Sequence, residues 1–186
     1  VEIAGYYAGL AEGFHELGVP ALAVDLGANP YAYSPGSRRP WIVRLAQWTR
    51  GAGPVGSPAP GPRFVRRLLR AATGPLLVAW AIARFDVFIF GFGFSLFGLR
   101  ELPLLRRLGK RVIFVFHGSD ARPPYIDGPT VLTQPGVADL IELTRRRKAG
   151  FARIERHADA VVSQPAFSHL FGCPVVDWFV VGMPWR

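Results

Sequence analysis

Between Phe85 and Asp120 the chain runs Phe-Asp-Val-Phe-Ile-Phe-Gly-Phe-Gly, then a Leu/Arg stretch, then Lys-Arg-Val-Ile-Phe-Val-Phe-His-Gly-Ser-Asp. Asp86 to Phe90 and Val112 to Phe116 lack apolar/polar alternation, so both are predicted to be strands buried on both faces, the mark of a parallel sheet covered by helices. An amphipathic helix, Leu99 to Leu108, fits between them and is closed by Gly109. Its Arg106, Arg107 and Lys110 complement the helix dipole. Each strand breaks into small or polar residues at its C-terminal end, where open α/β sheets bind ligands. The edge carrying Gly91, Gly93, Ser95, His117, Gly118, Ser119 and Asp120 is therefore the place to look for chemistry.

The rest of the chain extends the alternation. Ile3, Tyr6, Tyr7, Leu10, Phe14 and Leu17 recur at helical spacing before Gly18, and Pro20 to Leu26 reads as a short buried strand. Gly27 to Pro62 is dense in Pro, Gly and Ser and reads as a surface excursion, with a short helix around Trp41, Ile42, Leu45 and Trp48. Phe64 to Arg84 is a helix, basic at first and then apolar nearly all round, which Gly74-Pro75 is expected to bend or restart. A loop from Ala121 to Pro135, a long helix from Val137 to His157, a strand from Asp159 to Ser163, a short helix from Pro165 to Phe171 and a strand from Val175 to Val181 follow. The order implies an α/β fold with a Rossmann-like, doubly wound parallel sheet. Residues 1–186 read as one domain with the excursion 27–62. The strand that should precede the first helix is missing, and the absent initiator Met and the ending Met183-Pro184-Trp185-Arg186 suggest a piece of a longer protein.

Composition excludes rather little. The longest unbroken apolar run, Pro75 to Ala83, is far below the roughly 20 residues of a membrane span. The single Cys173 cannot form an internal disulfide, which fits a reducing compartment, and it reads as a small core residue. The spacings of His15, His157 and His169 suggest no metal site. A net charge of +9 comes almost entirely from arginine. The aromatics are not interleaved with those arginines as a nucleic-acid stacking platform needs, so no nucleic acid is expected. Anionic lipid headgroups remain open as partners of the arginine faces, beside a merely solvated basic surface. Gly91-Phe92-Gly93 lacks the spacing of a dinucleotide fingerprint, and there is no Gly-x-Ser-x-Gly elbow or Cys/His pair for covalent catalysis.

Several stretches, in order, carry a family resemblance: Ala4-Gly5-Tyr6-Tyr7 opening a helix that ends Leu17-Gly18; Phe85-Asp86-Val87-Phe88; Leu102-Pro103-Leu104-Leu105-Arg106-Arg107-Leu108-Gly109-Lys110-Arg111-Val112; Phe116-His117-Gly118-Ser119-Asp120; Arg153 to Val162; and the closing Val181-Gly182-Met183-Pro184. Together they resemble the N-terminal domain of GT-B glycosyltransferases, especially the family 4-like group. The resemblance implies one half of a two-domain architecture, with an acceptor-side domain here and a C-terminal donor domain absent. It implies a retaining transferase that moves a sugar from a nucleotide-sugar donor to a glycan or lipid-linked acceptor. The nucleotide-sugar is a substrate, and no cofactor or metal is expected. The resemblance further implies bacterial polysaccharide or glycolipid assembly at a cytoplasmic site, peripheral at the inner face of the membrane, and no turnover by this half alone.

Site roles follow from the same resemblance. His117 would contact the transferred sugar or its phosphate, with its neutral form donating to a hydroxyl or its charged form pairing with phosphate; otherwise it merely caps the strand. Asp120 would orient His117 or bind an acceptor hydroxyl, or it caps the next turn or pairs with Arg122. Ser119 stands evenly between contact and structure, and Gly118 permits the turn. Gly5, at a helix N-terminus, would meet a phosphate or a sugar oxygen, or else it lets the helix pack closely on the sheet. Tyr6 and Tyr7 would stack on an acceptor sugar, with at least one of the two in the core. Gly91, Gly93 and Ser95 would face the cleft. Relatives often place a His where this chain has Phe90-Gly91-Phe92-Gly93, so a polar contact is not expected there. The alternative from another class is a non-catalytic Rossmann-like binding module or degenerate pseudo-enzyme fragment, and a flavodoxin-like or nucleotide-dependent enzyme is a third.

Overall fold

The computed structural model describes residues 6–26, 40–50, 63–133 and 136–177. These fall into two compact units that divide between Ala81 and Ile82.

The first unit is helical. Helix α1 spans Tyr6–Glu16 and ends on Gly18, whose φ of 74° lets Val19 N–H return to the Phe14 carbonyl at 2.8 Å. Residues 20–26, expected as a strand, run as irregular, mostly half-buried chain. No described strand pairs with them, and a strand exists only through its ladder. Gln47 Nε2 donates to the Asp25 carbonyl at 2.7 Å. Helix α2, Trp41–Arg50, forms where its apolar spacing predicted. Helix α3, Arg63–Arg84, runs as one element through Pro75, which supplies no N–H to the preceding turn. Its second half is not enclosed all round. Thr73, Gly74, Leu77, Val78 and Ala81 are buried along one stripe, whereas Leu76 is exposed. Ile42, Val43 and Ala46 of α2 complete this small core. Thr49 and Thr73 hydroxyls meet at 3.3 Å, and Arg70 Nε donates to the Thr49 carbonyl at 2.9 Å, tying α2 to α3.

The second unit is mixed α/β around a three-stranded parallel sheet. Strands β1 (Val87–Gly91), β2 (Arg111–Val115) and β3 (Ala160–Val162) lie in the order β1-β2-β3. Phe88 stands beside Val112 and Phe90 beside Phe114; Phe114 stands beside Val161. Partners in register share a face, so Phe88, Phe90, Val112, Phe114 and Val161 line one side, and all are buried. The opposite face is less covered than expected. Val87 and Arg111 are exposed, and Ile89 and Ile113 are half-buried. Past β3, Val176 adds a parallel bridge, with Ser163 N–H donating to its carbonyl at 3.0 Å. The rest of the strand expected there, from 178 on, lies outside the described residues.

The helices of this unit start where their local chemistry allows. Helix α4 is Leu102–Arg107, shorter at its N-terminus than its apolar spacing suggested, because Gly98 and Leu99 sit at φ 63° and 65°. Glu101 Oε1 accepts the Phe97 N–H at 2.9 Å and fixes the entry to that helix. The expected loop 121–135 instead contains a 3₁₀ turn, Pro124–Ile126, and helix α5, Gly128–Thr133. Buried Asp127 starts α5 by accepting the Thr130 hydroxyl, while its carbonyl accepts the Val131 N–H at 2.9 Å. Helix α6, Val137–Glu155, delivers Phe151 to the aromatic face, where Phe116 meets Phe151 at 5.3 Å and Phe171 at 5.0 Å. The expected helix 165–171 is reduced to a 3₁₀ turn at Pro165–Phe167.

Candidate functional site at the strand ends

Strands β1 and β2 end side by side, Gly91 against Val115. Phe92 N–H still donates to the Val115 carbonyl at 3.2 Å, but Phe92 and Gly93 then turn left-handed at φ 59° and 64°. That conformation costs a non-glycine residue about 1–2 kcal/mol. It sets the Phe92 ring against the His117 imidazole, centroids 4.9 Å apart and planes at 30°. A Cβ at Gly93 would stand 3.4 Å from the Phe116 ring, and the positive φ already disfavours one. Ser95 Oγ accepts the Leu99 N–H at 2.6 Å and so closes the loop toward α4.

Past β2 the ladder runs one residue further, Phe116 N–H to the Val162 carbonyl at 2.9 Å, and then the chain folds over a carboxylate. Asp120 Oδ1 accepts the His117 N–H at 2.9 Å and the Gly118 N–H at 2.8 Å. The Asp120 bonds seen here therefore hold the backbone of the turn rather than the His117 ring. Gly118, at φ 142°, allows that turn. The Ser119 carbonyl accepts Arg147 Nη1 from α6 at 3.0 Å, and the same guanidinium nitrogen reaches the Arg122 carbonyl. Arg122 in turn lies 4.5 Å over the Phe167 ring and 3.4 Å from buried Asp127.

The half-buried His117 imidazole titrates below the ordinary histidine range: burial lowers it, and the Asp120 charge opposes that less strongly. At neutral pH the ring is uncharged, with one donor and one acceptor nitrogen. Such a ring suits a hydroxyl partner or a proton transfer better than a fixed ion pair with phosphate.

The structure thus gathers Gly91, Gly93, His117, Gly118, Ser119 and Asp120 at one end of the sheet, with Ser95 in the loop that leaves it. Tyr6 belongs to the other unit, at the start of α1, with its ring edge-on to Tyr7 at 5.0 Å. Gly5 lies outside the described residues. Two residues add to the edge without having been assigned a site role from the sequence. Phe92 carries no polar signal in the sequence, and Arg122, expected at most as a partner for Asp120, pairs with Asp127 instead. Glu101 is 4 % exposed, and its Oε2 has no hydrogen-bond partner among the described residues. Among those residues no three His, Cys, Asp or Glu side chains are grouped to hold a metal. The Cys173 thiol is pushed above its usual range by burial and by Glu155, which makes it a poor nucleophile. Comparison of the chain with protein-family models, with curated proteins and with solved structures returns no match.

Proposed function

We propose that the chain is the N-terminal, acceptor-side half of a retaining GT-B glycosyltransferase, with a Rossmann-like sheet facing a donor domain carried elsewhere in the same protein. The observation that carries the reading is His117. Its uncharged imidazole stands at the C-terminal end of the central parallel strand, backed by Phe92 and fixed at its backbone by Asp120. The ordered stretches that resemble the family-4-like group support the same reading. In the reaction, the acceptor hydroxyl attacks the anomeric carbon, the bond to the nucleoside diphosphate breaks on the same face, and the hydroxyl proton leaves with the diphosphate. His117 holds a hydroxyl of the transferred sugar while charge develops. The nucleotide-sugar is the substrate, and it places the work in the cytoplasm, where such donors are made.

The test is a panel of UDP- and GDP-sugars offered to the complete gene product and to this 186-residue chain. Turnover by the complete protein alone, lost in His117→Ala with the fold kept by circular dichroism, is the expected result. Full activity of that variant removes His117 from the mechanism. The second reading, a non-catalytic binding module, is favoured by the engagement of Asp120 and of the Ser119 carbonyl in holding the turn. Absence of donor turnover and donor binding in the complete protein selects it.

A further inference from the structure

The charge of this protein is unevenly laid out. From residue 26 to residue 85 the sequence holds nine arginines and no aspartate or glutamate, which equals the whole net charge of +9. The other thirteen cations are balanced by thirteen carboxylates. In the second unit, cations are drawn into the fold. Lys110 pairs with Asp86, Arg111 with Asp159, Arg122 with Asp127 and Arg146 with Glu142, while Arg106 and Arg147 donate to backbone carbonyls. The arginine row on α6, the densest in the sequence, is thus partly engaged within the fold.

The acid-free stretch holds α2 and α3, and both turn apolar side chains outward. Helix α2 buries Ile42, Val43, Ala46, Gln47 and Thr49, leaving Trp41, Arg44 and Trp48 as its exposed stripe at helical spacing. Trp41 is 71 % exposed and Trp48 is 49 % exposed. On α3, Phe64 (70 %), Leu68 and Leu76 are exposed in the same way. Tryptophan flanking arginine, with aliphatic and aromatic groups beside it and no acid, is the composition of a helix lying in a membrane interface. No described helix is long and apolar enough to cross a bilayer, so these two would lie on it. Nucleic acid would meet the arginines and stack on Trp41, Trp48 or Phe64, but it gives no return for exposed aliphatic Leu68 and Leu76.

We infer that α2 and α3 seat the protein on an anionic phospholipid surface, with Trp41 and Trp48 at headgroup depth and Arg44 between them against the phosphates. The inference is independent of whether the strand ends handle a sugar nucleotide. The experiment is flotation of the whole chain with vesicles of phosphatidylcholine, and with vesicles in which phosphatidylglycerol replaces part of it. Binding is expected to the anionic vesicles and not the neutral ones, and to weaken as salt is raised. Trp41→Ser with Trp48→Ser should weaken it roughly tenfold or more, and Arg44→Glu about fivefold or more. Arg146→Glu on α6 should leave it unchanged. All these side chains are exposed, so each variant keeps its far-ultraviolet circular dichroism. Flotation with neither vesicle, equal flotation with both, or an unaltered Trp double variant overturns the inference. So does an Arg146→Glu loss as large as that of Arg44→Glu. Selective binding to single-stranded nucleic acid without vesicle binding overturns it in favour of the other polyanion.

Discussion

The two units use the same kinds of residue in opposite ways. In the second, phenylalanines pack against one another in the interior, Phe90 tilted on Phe114 and Phe151 stacked on Phe171, and cations find carboxylates or carbonyls. In the first, Trp41, Trp48 and Phe64 stand exposed in a stretch without a single acid. Residue type alone therefore says little about role. What separates an aromatic that holds a fold from one offered to a partner is the number of its sides already covered.

The sharpest way to break that contrast is a pair of truncations. Phe114→Ala, at a fully buried central position, should cost about 3–5 kcal/mol in urea unfolding. Trp41→Ala, though larger, should stay within about 0.5 kcal/mol. A comparable loss in both would make the exposed stripe part of a core. Next in size is Asp120→Ala, which strips the His117 and Gly118 N–H groups of their acceptor and should cost about 1–3 kcal/mol. Because the Asp120 charge is what raises His117, proton NMR should then find the imidazole titrating lower still.

Acid titration gives smaller effects. Asp159 is held below the usual carboxylate range, chiefly by the Val112 N–H at 2.8 Å and then by Arg111. Its contribution is present above the unfolded value and is lost as pH falls through the folded one. Asp159→Asn should cost about 1 kcal/mol at pH 7 and flatten the stability curve below about pH 4. His117 and His157 are both lowered, first by burial; nearby Arg106, Arg156 and Arg153 further lower His157. The unfolded chain then binds protons first, so stability should begin to fall as pH drops through about 6.5, and the fall should end below the folded values. A melting temperature that rises on acidification through this window would contradict both assignments.

Much of the second unit was legible. Unbroken apolar strands flanking a Leu/Arg helix gave a parallel βαβ unit, and His117 fell at the expected strand end. What stayed hidden depended on partners or on single dihedrals. Nothing in the letters Gly98-Leu99 announces two left-handed residues that delay α4. Helix α5 did carry a signal, Asp127-Gly128-Pro129-Thr130, a capping acid with proline in the first turn, inside a stretch read as loop. Residues 20–26 have strand composition without a described neighbour to pair with, and composition supplies only one side of a ladder. The Phe92–His117 contact joins two loops far apart in sequence, so no local pattern could report it. The bonds of Asp120 go to main-chain groups, which look the same in every sequence.

Arg147 gives the strand-end turn an unexpected correspondent. By grasping the Ser119 and Arg122 carbonyls from the middle of α6, it fastens a short surface turn to a long helix. A molecule that settles on the turn should therefore slow amide exchange around Arg147 as well as at Gly118. Exchange in the helix becomes a remote gauge of occupancy, readable before the identity of the occupant is known.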